Sequence, residues 1–190
     1  WQPTQWRPQM AIHSKDSGIA IVAVRVSNFR SLKNIEVELS DLTVIIGANN
    51  AGKTSFLDAL FGAVGAGRKF LGVDDVRLEP TEATAPKDRH VTIDVLIRPI
   101  GVDGEIGEAY PPGSYWTSLW GTQGIATDEH GSEITALRTQ LVWSNVRGEY
   151  IVERRFLREW PPFSNWLGAE ANDRPVSANQ IESIALHYVG

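Results

Sequence analysis

Residues Gly47-Ala48-Asn49-Asn50-Ala51-Gly52-Lys53-Thr54 spell G-x-x-x-x-G-K-[ST], a spacing suited to holding a polyphosphate. Gly47 and Gly52 allow the backbone to curl until successive N–H groups point inward at an anion. Lys53 brings a full positive charge to the β- and γ-phosphate oxygens, and it is the candidate catalytic residue. The Thr54 hydroxyl is the candidate metal ligand, completing the shell of a Mg²⁺ that bridges those phosphates. The stretch from Gly47 through Ala48, Asn49, Asn50, Ala51, Gly52, Lys53 and Thr54 to Ser55 is therefore the candidate nucleotide-binding loop.

Such a loop needs a strand before it and a helix after it. Leu42-Thr43-Val44-Ile45-Ile46 is rich in β-branched apolar residues and is expected to form a strand buried on both sheet faces. A helix is expected over Gly52–Val64, with Phe56, Leu57, Leu60, Phe61 and Val64 in one apolar stripe. Its N-terminus would add free N–H donors and a partial positive charge at the loop.

Upstream, Gly18–Val26 is an apolar β-branched run. Leu32–Leu39 alternates, with Ile35, Val37 and Leu39 on one face and Asn34, Glu36 and Glu38 on the other, which predicts a half-exposed antiparallel strand. Downstream come a charged loop, Leu78–Arg89, and a strand, His90–Ile100. A Gly/Pro-rich connection, Gly101–Gly113, leads towards a hairpin of Ile134–Trp143 with Glu149–Leu157. Trp160–Pro175 reads as irregular, Ala178–Ile184 as a short helix, and Ala185–Val189 as a strand. Trp1–Ser17 lacks periodicity and is expected to be a flexible arm or extension ahead of one domain over 18–190. The sole Met, Met10, and a final strand with nothing after it suggest a piece of a longer protein.

Composition narrows the function classes. The chain has 190 residues, 42% hydrophobic and 22% charged, the balance of a soluble globular domain. Absence of Cys excludes thiolate catalysis, Cys-zinc sites and disulfides. Apolar runs fall far below the ~20 residues of a membrane helix, and no signal peptide opens the chain. A cytoplasmic setting is expected. A net charge of −5 argues against a free-standing, non-specific nucleic-acid binder.

Other candidates read as structural. The four His residues show no metal spacing. Asp128-Glu129-His130-Gly131 fits the DxxG of a GTPase switch, yet no base-reading motif follows, so a polar turn is expected. Arg147, Arg154, Arg155 and Arg158 surround Tyr150 and Phe156, a candidate nucleic-acid face largely neutralised by Glu149, Glu153 and Glu159. The aromatic stretches Tyr110–Trp120 and Trp160–Trp166 are expected to form a satellite core. Asp74 and Asp75 are expected at the surface, and Asn28 and Ser31 as turn formers.

The run Val26-Ser27-Asn28-Phe29-Arg30-Ser31-Leu32, the alternating strand to Leu39, and Leu42 through Ser55 together carry a resemblance. They resemble the ABC-type ATPases of the RecF/SMC group, and most closely the OLD (overcoming lysogenization defect) family, which includes the Gabija antiviral ATPase-nuclease. The likeness is strong over Ile19–Val64 and weaker from there to Gly190. It implies an α/β P-loop NTPase fold, ABC/SMC-head-like: a core sheet with a flanking helix and an antiparallel β-subdomain, here incomplete. It implies ATP and Mg²⁺ as ligands and a second head as partner in a homodimer. DNA would be met through parts absent here, in DNA processing or phage defence. It matches Asn49 to a loop Asn of these heads, and Arg30 to an arginine beside the nucleotide. Asn50 stands where many relatives have Gly, and Asn tolerates a left-handed backbone best among the alternatives.

Three family elements are missing from the sequence: an apolar strand ending Asp-Glu, a Leu-Ser-Gly-Gly signature and a Toprim acidic cluster. The chain is thus expected to be an N-terminal ATPase lobe that binds nucleotide without efficient turnover. A self-contained small P-loop enzyme (a nucleotide kinase or GTPase) and a non-catalytic nucleotide-sensing module are the alternatives.

Overall fold

The computed structural model describes residues 18–40, 42–48, 52–65, 71–101 and 103–184. It opens with the apolar run of β1 (Gly18–Phe29) and the alternating β2 (Leu32–Glu38), paired antiparallel through a tight turn. Then come α1 (Lys53–Val64), β3 (Val91–Ile100), α2 (Tyr115–Gly124) and the short β4 (Ala126–Thr127). The hairpin strands β5 (Glu133–Ser144) and β6 (Glu149–Leu157) precede β7 (Ala171–Pro175) and α3 (Ala178–Glu182). The sheet runs β2-β1-β3-β5-β6-β7, with β4 beside β5, and every described pairing is antiparallel.

Period-two alternation along the central strands separates two faces. One face carries Val24, Val26, Ile93, Val95, Ile97, Leu137 and Leu141, and α1 packs there through Phe56, Ala59, Leu60, Ala63 and Val64. Leu57, expected in the stripe, is instead 36% exposed, because the sheet meets a narrower arc of the helix. The other face holds a smaller apolar cluster around Leu96, Ile134 and Leu157. Through it runs a row of charges set by the register, Glu36 opposite Arg25, Arg25 opposite Asp94, and Asp94 opposite Arg138. Arg138 grips Asp94 with two hydrogen bonds of 2.8 and 2.7 Å and donates to the carbonyls of Trp166, Leu167 and Ala169. Arg25 lies 3.9 Å over the Trp160 ring and donates to the Pro161 carbonyl. Buried guanidiniums thus bind the irregular 160–169 segment to the sheet, where their remaining donors find carbonyl partners.

Several expectations change. Leu42–Ile46 forms no strand: Leu42 is 81% exposed, Val44 68% and Ile46 89%, and no described strand pairs with it. Its composition suits burial between two neighbours, but the described sheet is antiparallel and closes without it. The chain is α/β, as expected, with α1 packed directly on β1 and β3 of the antiparallel sheet. Trp160–Pro175 contains β7, and Tyr110–Trp120 contributes to the main core through Tyr110 and Trp120, whose rings meet edge to face at 5.4 Å. Helix α2, unforeseen in the sequence, is capped by Ser114, which accepts from the Thr117 N–H. Asp128 heads a turn, accepting from the His130 and Ser132 N–H groups, as expected. The final strand expected at Ala185–Val189 and the arm at Trp1–Ser17 lie outside the described residues.

Candidate nucleotide-binding site

Gly52 is the N-cap of α1, with φ +88°, a left-handed conformation that favours glycine. No side chain caps this end, and no acid stands in the first turn. The first-turn N–H groups of Lys53, Thr54 and Ser55 therefore have no intrahelical partner, and the helix dipole adds positive potential where they point. Before the helix, the Lys53 ammonium reaches back over the loop and donates to the carbonyls of Gly47 at 2.5 Å and Ala48 at 2.6 Å. Thr54 is exposed beside it. Asn49, Asn50 and Ala51 lie outside the described residues.

This donor set fits a polyphosphate. Uncapped N–H groups and an ammonium converge on one end of a helix, and a hydroxyl stands next to them for a divalent cation. Gly47, Ala48, Gly52, Lys53, Thr54 and Ser55 are all at this place; Arg30 is not aimed at it in the same way.

Arg30 sits in the β1–β2 turn with φ +47°, near Asn28 at φ +57°, both unusual for residues other than glycine. Its guanidinium binds two carboxylates, Asp58 of α1 at 2.5 Å and Asp75 at 2.8 Å. Burial alone would lower the Arg30 pKa, but the hydrogen bonds it donates to Asp75 and then to Asp58 outweigh it and the pKa rises. Asp75 is only 7% exposed, against the expectation of a surface acid, whereas Asp74 is exposed as expected. The Asp75 carboxylate also accepts from the Gly72 N–H at 3.0 Å. Ser31 belongs to the turn as expected, with its Oγ 3.2 Å from Ser55 Oγ, whereas Asn28 lies within β1 and its side chain donates to the His90 carbonyl.

Sequence reasoning passed over Asp58 and placed Asp75 at the surface, where it is not. The signal for Asp58 was local, an acid in the loop's own helix. For Asp75 there was none, since its partner lies 45 positions away.

Three of the four arginines of the candidate nucleic-acid face are occupied elsewhere. Arg154 bonds the Gly62 and Ala63 carbonyls, Arg155 the Asp173 carbonyl, and Arg158 the Glu170 carboxylate. Among the described residues no group of His, Asp and Glu could hold a metal ion by itself.

Residues 20–98 match the family model of the AAA ATPase domain. Over a short stretch the chain is also similar to curated proteins. It is similar to the DNA replication and repair protein RecF of Haemophilus ducreyi, 50% identical over 24% of this chain and 12% of that protein. RecF of Nitrosococcus oceani is 45% identical over 26% of this chain and 14% of its own length. An ATP/GTP phosphatase of Helicobacter pylori is 44% identical over 24% of this chain and 12% of its length. The chain thus matches about an eighth of the length of these relatives. A solved structure described as the recombination mediator protein RecF-ATP in the RecFOR pathway overlays 73% of this chain on 28% of its own. Its TM-score is 0.39 and its sequence identity 14%.

Proposed function

We propose that this chain binds ATP with Mg²⁺ through Gly47–Ser55, as a nucleotide-binding lobe of an ATPase of the RecF/SMC kind, with OLD-family proteins as the nearest functional analogy. One observation carries the reading. The Lys53 ammonium and the uncapped N-terminus of α1 converge on the same loop, behind a left-handed Gly52. The family match over 20–98 supports it.

In this reading the loop N–H groups and Lys53 hold the β- and γ-phosphates, and Thr54 holds Mg²⁺. When bound, Mg²⁺ would supply charge neutralisation of the phosphates. Asn49, Asn50 and Ala51 belong to the same proposal as the body of the loop, and Arg30 as its neighbour. Nucleotide-driven pairing of two such lobes, with hydrolysis resetting them, would gate DNA processing or phage defence in the parent protein. DNA as a partner is suggested by the names of the RecF relatives. No helix among the described residues is long and apolar enough to cross a membrane, and a cytoplasmic setting belongs to the proposal.

Calorimetric titration with Mg-ATP tests the core of this. Lys53→Ala removes a charge-assisted phosphate contact worth about 1.5–3 kcal/mol, hence roughly a ten- to hundredfold loss of affinity. Equal binding by the two proteins would refute the assignment. Steady-state turnover at about 1–10³ s⁻¹, abolished by Lys53→Ala, would replace the lobe reading with a self-contained enzyme.

A further inference from the structure

Three contacts run in order along one side of α1. At its start, Leu32 packs so closely that a Cβ on Gly52 would lie 2.7 Å from Leu32 Cδ2. Next, Ser31 Oγ sits 3.2 Å from Ser55 Oγ. Beyond that, Arg30 Nη1 donates to Asp58 at 2.5 Å. Positions 52, 55 and 58 are three apart and share a helix face, while Arg30, Ser31 and Leu32 are consecutive. The β1–β2 turn therefore lies lengthwise against the first turns of the loop's helix.

The same turn is gripped from its other side. The Arg30 N–H donates to the Asp75 carbonyl at 2.9 Å, and the Arg77 N–H to the Asn28 carbonyl at 2.8 Å. Phe29 and Val76 form a bridge between these bonds. Left-handed residues such as Asn28 and Arg30 persist only where their surroundings over-determine them, and such strain gathers at functional sites.

We propose that Asp58 and Asp75 are positioning residues for the phosphate-binding loop: by holding the Arg30 guanidinium from two sides, they keep Ser31 and Leu32 against Ser55 and Gly52 and so fix where the first N–H groups of α1 point. The inference rests on the reading of that loop as a nucleotide site.

Charge makes it testable by sign. Two carboxylates on one guanidinium leave a net negative charge near a site for anions. If electrostatics alone mattered, Asp58→Asn would tighten ATP binding, by removing that charge and loosening Arg30 toward the phosphates. Positioning gives the opposite sign.

The experiment is a fluorescence titration of the chain with Mg-bound N-methylanthraniloyl-ATP, paired with thermal melting without nucleotide. Asp58→Asn and Asp75→Asn are each expected to weaken binding on the order of tenfold, as supporting residues around a bound group do. Arg30→Ala with Asp58→Asn should be no weaker than the worse single variant, because both break one linkage. Unchanged or tighter binding by Asp58→Asn, or additive losses in the pair, would overturn the proposal. If Asp58→Asn melts below the assay temperature, Arg30→Lys decides in its place. Lys keeps the charge without the two-sided fork, so wild-type affinity there would overturn it. Wild type and Lys53→Ala that bind equally poorly would instead sink the reading of the loop itself.

Discussion

Arg154 on β6 donates from Nε to the carbonyl of Ala63 at 3.2 Å, at the far end of the helix that begins at Gly52. Its Nη2 takes the Gly62 carbonyl at 2.9 Å, and the Thr139 hydroxyl adds a third bond to this end. Cationic donors on the last carbonyls of a helix satisfy both orphaned acceptors and the negative end of the dipole. Burial pushes the Arg154 pKa down, yet the guanidinium stays charged there.

Arg154→Ala should therefore destabilise the fold by about 1.5–3 kcal/mol, the worth of charged hydrogen bonds left unmade. Urea denaturation measures it as a lowered midpoint. An unchanged midpoint would reduce the contact to surface decoration.

Thr54→Ala should weaken ATP binding in Mg²⁺ far more than in EDTA. The hydroxyl's proposed partner is the metal, and removing the metal removes the reason for the loss. Equal losses in the two buffers would mean that Thr54 serves the phosphate or nothing at all.

Breaking the pair on the opposite sheet face should be costly. Burial alone pushes the Asp94 pKa up, against the opposing pull of Arg138. Arg138→Met would strand this fully buried carboxyl and is expected to cost about 3–5 kcal/mol. Asp94→Leu combined with Arg138→Met should recover much of that, since no charge is left without a partner. Chemical denaturation of both variants decides, and a double variant as unstable as the single one would contradict the account.

Acid should open the 128–132 turn before the sheet. Asp128 accepts from the Ser132 N–H, then the His130 N–H, and pairs with Arg98, which together hold its carboxyl below the usual carboxylate range. The unfolded chain then binds the proton more tightly than the folded one. The contribution is complete above the ordinary carboxylate pKa and fades as pH falls from there through the lower folded value. Hydrogen-exchange protection of the 128–132 amides should drop across that range in wild type and show no such step in Asp128→Asn.

Much of this was legible in sequence because it is local. The loop motif, the helix after it and the alternation of Leu32–Leu39 each declare themselves within about a dozen residues, and the β5–β6 hairpin within adjacent strands joined by a short turn. What escaped depends on distant partners. Asp75 looks like Asp74 until Arg30 is placed against it. The short β7 carries Asn, Asp and Pro, poor strand formers, and exists because β6 offers an edge. Helix α2 has a Ser-x-x-Thr start that could have marked it, but Gly121, with φ +59°, breaks its period. Leu42–Ile46 shows the opposite failure: apolar composition reports what a segment could bury, and says nothing of whether a neighbour meets it.

Between Glu38 and Val91 the chain leaves the sheet, makes the loop and α1, and returns so that β3 lies beside β1. The entropy of closing such an excursion grows only with the logarithm of its length, about 0.6 kcal/mol for each doubling. Contour length at the exposed residues Ala83 and Thr84 is therefore nearly without thermodynamic consequence, whereas a one-residue change at 29–32 would shift Arg30, Ser31 and Leu32 off Asp58, Ser55 and Gly52 together. Insertions should be tolerated at the first place and rejected at the second, so the sheet fixes where the excursion starts and ends and leaves its length to drift.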